Sequence, residues 1–173
     1  VSFEGLEKLC KEVLGDLTFA DLELPYAAVT ADMTTGEQVV LTEGRVASAV
    51  RASCSIPGVA APVEIGGRLL VDGGVVNNLP ISAVRSLGAD IVIAVSLCSI
   101  PEQYPQSVVG MLAAAFDLLL LKAGDAPSNA DIAISIPCSG FGTLLRIHRR
   151  HELLSLGRQA ARQAVPTLRA TLA

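Results

Sequence analysis

The sequence predicts an α/β fold, a three-layer α/β/α arrangement with a mostly parallel central sheet. Three observations carry that expectation. Strand-like and helix-like segments alternate along the chain. Residues 91–97 (IVIAVSL) form an unbroken apolar run of strand length, rich in β-branched residues, which suits a strand buried on both faces of a parallel sheet. Hydrophobic residues make up 51% of the 173 positions and aromatic residues 3%, so aliphatic side chains must fill the core, as they do between helices and a sheet. The length fits one domain with a real core. Charged residues, at 17%, are too few for a disordered chain.

Each element follows from local pattern. Phe3, Leu6, Leu9, Cys10, Val13 and Leu14 recur at three- and four-residue spacing and predict a helix over 2–14, stopped by Gly15. Residues 26–32 (YAAVTAD) and 38–42 (QVVLT) read as two strands joined by the turn Thr34-Thr35-Gly36-Glu37. Helical spacing returns over 45–53, with Val46, Ala49 and Val50 on one face, and Ile56-Pro57-Gly58 ends it. Residues 63–65 and 68–71 flank Gly66-Gly67 as a second, tight hairpin. After Asp72-Gly73-Gly74 a helix is expected over 80–87, opened by Asn78 or Pro80 and closed by Gly88. The strand 91–97, a helix over 107–122, a strand over 131–136 and a long helix over 145–164 complete the order. Residues 123–130 (AGDAPSNA) read as a loop.

Charge and composition exclude several classes of function. A net charge of -4 argues against nucleic acid as a partner. From Arg146 onward, however, six Arg stand against one Glu. In the last helix Ile147, Leu154, Gly157, Ala161, Ala164 and Leu168 fall on one stripe, and Arg149, Arg150, Arg158, Arg162 and Arg169 lie largely off it. Each basic residue near an anionic membrane surface is worth about 1 kcal/mol, so this helix is a candidate for peripheral membrane contact. A basic outer face on a core helix is the commoner arrangement.

The cysteines at 10, 54, 98 and 138 have neither metal-knuckle nor redox-motif spacing and are expected to be reduced and mostly buried. The most apolar run, 108–121, is broken by Gly110 and Asp117 and falls short of the roughly 20 residues a membrane-spanning helix needs. It is expected to be a buried or partner-covered helix. No signal peptide is visible, and the expected location is cytoplasmic, with at most peripheral membrane contact.

The sharpest local feature is Asp72-Gly73-Gly74. A strand (RLLV) delivers Asp72 to its C-terminal end, where α/β folds place functional residues. The two glycines let the backbone turn at positive φ and leave space beside the carboxylate. On these three residues alone, an aspartate capping a turn is the commoner reading.

The flanking residues shift that balance. RVASAVRASCSIPG over 45–58, VEIGGRLLVDGGVVNNLP over 63–80 and IVIAVSL follow one another in order. This set resembles the bacterial branch of the patatin-like phospholipase family, in which a helix ending in A-S-x-S-I-P-G precedes a hairpin, a D-G-G/A motif and an N-x-P helix start. The resemblance runs from about residue 26 to 97 and weakens toward the C-terminus.

What the resemblance implies is a serine–aspartate dyad acting on ester bonds of phospholipids or related lipids, without metal or organic cofactor. A serine in a G-x-S-x-G turn attacks the ester, the aspartate of D-G-G/A serves as base, and a glycine-rich loop stabilises the oxyanion. Carried over residue by residue, Asp72 is the catalytic aspartate, with Gly73, Gly74 and Asn77 shaping its surroundings. Asn77 and Asn78 could orient Asp72, though capping the next helix is the commoner role for such residues. A free aspartate is a weak base, so the site should desolvate it and raise its pKa.

The sequence departs from the family pattern in one respect. It contains neither G-x-S-x-G nor G-x-G-x-x-G; the nearest approach to the first, Pro137-Cys138-Ser139-Gly140-Phe141-Gly142, begins with proline. In the family both motifs lie upstream of the matching region. Residues 1–173 are therefore expected to be the C-terminal portion of one patatin-like domain that lacks its first strands, inactive alone for want of a nucleophile. A rival triad from Ser53, Ser55 or Ser139 with His148 or His151 is disfavoured, because Ser53 and Ser55 lie at the end of a helix of structural character and both histidines sit in a helix-face segment (RIHRRHE). A reading of another class is a non-catalytic interaction or scaffold unit.

Overall fold

The computed structural model describes residues 4–98, 107–137 and 150–172. Its first helix, α1 (Glu4–Leu14), packs against α2 (Val46–Ser53). Between them β1 (Ala28–Asp32) and β2 (Gln38–Leu41) form the first hairpin, with Ala28 opposite Leu41 and Ala31 opposite Gln38. The second hairpin joins β3 (Val63–Ile65) to β4 (Arg68–Asp72) through Gly66 and Gly67, both at positive φ. Glycine adopts that conformation without the penalty a side chain would incur, so Gly66-Gly67 fixes this turn.

The two hairpins join edge to edge: β4 pairs antiparallel with β1, giving a four-stranded sheet in the order β2-β1-β4-β3. Helix α2 lies on it. The small residues Ala47, Ala49 and Ala52 are buried and let the helix approach closely. Ala52, Val63 and Leu70 form the core beneath, flanked by Val39, Leu41 and Ile65.

A second unit follows the Asp72 turn. Helices α3 (Gly74–Asn77) and α4 (Ile81–Ser86) lead to β5 (Ile93–Cys98), which pairs parallel with β6 (Ile132–Pro137); α5 (Val108–Lys122) lies in the connection between them. Ile81, Val92 and Ala94 make a second core, with Leu79, Ala89 and Ala130 against it. The last helix, α6 (Arg150–Thr171), seats Leu153, Leu156 and Ala160 on Ile136 of β6.

The α/β class is therefore correct, but the mostly parallel sheet is not what the described residues form. Among the described residues, four of the six strands are antiparallel, and parallel pairing is confined to β5 and β6. The reason lies in the connections: parallel neighbours need a crossover of a dozen or more residues, and the turns joining β1 to β2 and β3 to β4 are far shorter. The expectation that residues 91–97 are buried on both faces also needs correction. Val92 and Ala94 are buried, whereas Ile93, Val95 and Leu97 are 46%, 56% and 61% exposed. The second core covers the face of Val92 and Ala94, and α6 packs on the opposite face at Ile134 and Ile136 of β6, leaving the β5 side chains of that face exposed.

Two smaller differences follow from packing. Helix α6 continues past residue 164 to Thr171 with Pro166 inside it. The proline forfeits one backbone hydrogen bond, on the exposed side of the helix. Of the cysteines expected to be mostly buried, Cys10 is buried and Cys54 is exposed. The first residues of the helix expected over 145–164, together with Ser139, His148 and Cys138, lie outside the described residues.

Candidate active site

Strand β4 ends at Asp72, opposite Thr30 of β1. The Asp72 backbone N–H donates to the Ser55 carbonyl at 2.9 Å, which ties the end of the strand to the segment following α2. Its carboxylate oxygen Oδ1 accepts from the Gly74 N–H at 2.8 Å. The side chain is thus held over the first turn of α3, at the junction between the antiparallel sheet and the helices beyond it.

The two glycines act differently from the sequence expectation. Neither belongs to the positive-φ set, and Gly73 has φ −66°. Gly73 is glycine because of close approach: a side-chain carbon there would collide with the Val29 carbonyl oxygen of β1. At Gly74 an added carbon would stand 3.1 Å from Asp72 Oδ1 and 3.4 Å from Asn78 Oδ1. One glycine lets the turn press onto the sheet, and the next keeps the carboxylate's flank open.

Burial raises the Asp72 pKa above the ordinary 3.8, and the Gly74 N–H partly offsets this by stabilising the charged form. Beside it, the Cys54 thiol is also raised, first by desolvation and then by the negative charge of Asp72. A thiol held protonated is a poorer nucleophile than a thiolate.

A cleft of about 240 Å³ opens over this turn, lined by Tyr26, Ala28, Val29, Ser53, Asp72, Gly73, Gly74, Asn77 and Pro80 among others. That is smaller than the roughly 300–1,000 Å³ of complete small-molecule pockets. Ser53 lines the cleft with Asp72, but its hydroxyl donates to the Val29 carbonyl at 2.8 Å. Ser55 is buried and donates to the Arg51 carbonyl. His151 stands exposed on α6. These groups do not assemble a triad. Among the described residues, no three His, Cys, Asp or Glu side chains converge as metal ligands would.

Asn77 sits at the end of α3 and is 8% exposed. Its amide nitrogen donates to Gln38 Oε1 at 2.9 Å and to Asp125 Oδ2 at 3.3 Å, and its carbonyl oxygen accepts from the Asp125 N–H at 3.2 Å. The helix-capping role expected of Asn77 and Asn78 falls to Asp125 instead. Its carboxylate accepts from the Ser82 N–H at 2.9 Å and from the Ser82 hydroxyl at 2.7 Å, at the start of α4. Pro80, the residue preceding α4, makes no side-chain cap. Sequence reasoning missed both Gln38 and Asp125. The Gly-Asp pair in 123–130 was the available signal, but that composition reads simply as loop.

Comparison with known proteins bears on this turn directly. The family model described as patatin-like phospholipase matches residues 1–85, which contain β4, Asp72, both glycines and Asn77. Over these residues the chain is similar to the patatin-like phospholipase family. An uncharacterised NTE family protein of Mycobacterium tuberculosis is 42% identical over 87 residues, covering 50% of this chain and 24% of the relative. A second such protein from the same organism is 45% identical over 75 residues, covering 43% of this chain and 13% of the relative. Patatin-like phospholipase domain-containing protein 7 of Rattus norvegicus is 40% identical over 100 residues, covering 57% of this chain and 7% of the relative. The chain thus spans about a quarter or less of the length of these relatives.

Proposed function

We propose that this patatin-like chain contributes the catalytic aspartate to a serine–aspartate dyad that hydrolyses ester bonds of phospholipids or related lipids. The observation that carries the reading is the Asp72 turn: a half-buried carboxylate with a raised pKa, open on the Gly74 flank and facing a cleft. In this reading Asp72 takes the proton of a serine hydroxyl as that oxygen attacks the ester carbonyl, and then returns it to the leaving alkoxide. Water repeats the cycle on the acyl-enzyme, with Asp72 again as base. Gly73, Gly74 and Asn77 hold the carboxylate in place. The nucleophile belongs to polypeptide outside these 173 residues, since the sequence contains no G-x-S-x-G.

The test is a p-nitrophenyl ester assay on two proteins, this chain and the same chain extended by its upstream coding sequence. The expected result is turnover in the extended protein and none in the shorter one. Turnover in the shorter chain would overturn the assignment of the nucleophile. Turnover in neither would favour a non-catalytic interaction role, which the exposed apolar row on β5 also suits.

Peripheral membrane contact through α6 belongs to the same reading, because a phospholipid substrate resides in a surface. Arg158, Arg162 and Arg169 recur at four- and seven-residue spacing and share one stripe, on the side of α6 opposite Leu153, Leu156 and Ala160. Exposed Leu154 and Leu172 border the stripe. No helix among the described residues is long and apolar enough to cross a membrane. The chain is expected to co-sediment with anionic vesicles at low salt, and replacing the three arginines by glutamine should cost about 1 kcal/mol for each charge. Wild-type protein that leaves anionic vesicles unbound would remove the membrane from the reading.

A further inference from the structure

Helix α3 is a single turn of four residues, Gly74–Asn77. One turn of helix is unstable alone, since it fixes several dihedral angles for very few hydrogen bonds. Its first residue nevertheless supplies the N–H that binds the Asp72 carboxylate. The position of that carboxylate therefore depends on what holds the two ends of α3.

At the N-terminal end, Gly73 is pressed onto the Val29 carbonyl. The C-terminal end is held from the far side of α5. Asn77 exchanges two hydrogen bonds with Asp125, one from the Asn77 amide to the carboxylate and one from the Asp125 N–H to the Asn77 carbonyl oxygen. The Asn78 N–H donates to the Ala123 carbonyl at 3.2 Å, adding a backbone link beside them. Gly124 lies so close that a side-chain carbon there would overlap the Asn77 amide. Asp125 is anchored in turn by the Ser82 N–H and hydroxyl, which hold its carboxyl below the ordinary value. Residues 123–125 thus form a clasp on the end of α3, and Leu120 of α5 packs toward Gly74.

We propose that Asp125 is a positioning residue for Asp72: through Asn77 it fixes the helical turn that presents the Gly74 N–H to the Asp72 carboxylate. This deepens the reading of Asp72 as the catalytic base and rests on it. The experiment needs no turnover, however, so the clasp can fail while the dyad stands, and the reverse.

The experiment follows the Gly74 amide shift by NMR through an acid-to-neutral titration of this chain, since that amide reports the ionisation of Asp72. Three variants separate geometry from charge. Asp125→Asn removes the charge and keeps an acceptor for Ser82 and Asn77. Gly124→Ala keeps the charge and pushes the loop off Asn77. Asp125→Ala removes both, and circular dichroism checks that each variant folds. Cys54, whose thiol feels the Asp72 charge, and Tyr26, which lines the same cleft, are unchanged in all of them.

The expected result is that Asp125→Asn keeps the wild-type midpoint and Gly74 shift. Gly124→Ala and Asp125→Ala should move the midpoint up and shrink the response of the Gly74 shift, as the carboxylate loses the N–H that stabilises its charged form. If Asp125→Ala does not fold, Gly124→Ala against Asp125→Asn decides the matter. A midpoint that moves as far in Asp125→Asn as in the other two, or folded variants that all match wild type, would overturn the proposal.

Discussion

In the protein extended upstream to the proposed serine nucleophile, Asp72→Asn should lower kcat about 10²–10⁴-fold, the usual worth of a positioned base. The same substitution should raise thermal stability at neutral pH. Burial lifts the folded-state pKa of Asp72 above 3.8, so the native state keeps this proton to a higher pH than the unfolded chain does. Between those two values the folded state binds more protons, and stability falls as pH rises through the window. Below both values the penalty is absent; above both it is fully present. Asparagine avoids it and still offers an oxygen to the Gly74 N–H. Thermal melts from acid to neutral pH should therefore show variant and wild type converging in acid and separating as pH rises. A variant that turns over like wild type would take the base role from Asp72. One that melts below wild type at neutral pH would show that the ionised carboxylate stabilises the turn.

Leu70→Ala should have the opposite signature. Leu70 is 0% exposed, packs with Ala52 and Val63, and sits opposite both Val63 of β3 and Asp32 of β1. Removing a leucine from such a site costs about 2–5 kcal/mol, through lost burial and the cavity left behind. That is a large share of the roughly 5–15 kcal/mol by which a domain is stable. Urea denaturation should show a clearly lower midpoint with an unchanged slope. Leu70 lies two residues before Asp72 on the same strand, so activity lost in this variant should return under stabilising conditions such as added osmolyte. Activity lost in Asp72→Asn should not return. An unchanged urea midpoint would mean that β4 is not packed against α2 as described.

These two residues also show how much the sequence disclosed. Leu70 and Asp72 lie on a strand legible from its β-branched and aliphatic residues and from the Gly66-Gly67 turn before it. Both hairpins, α2, α4, α5, β5 and β6 were legible in the same way, because period and turn chemistry are local properties of a few consecutive residues. Asp72 itself stood out through the ordered motifs around it, and Asn77 through its place in them. The one-turn helix α3 did not, since four residues carry no detectable period.

Sequence alone determined the alternation of elements, the resemblance to patatin-like phospholipases over about residues 26–97 and the prominence of the Asp72 turn. Tertiary structure decided how the strands pair. It put a β1 carbonyl against Gly73, so that glycine is required there by contact and not by φ. It also brought Asp125 to Asn77 across 48 positions of sequence and Gln38 across 39. A contact at that separation leaves no periodic trace in either segment. It exists only once two cores have formed and set the end of α5 beside the end of α3, which is why a stretch that reads as plain loop holds the turn that carries Asp72.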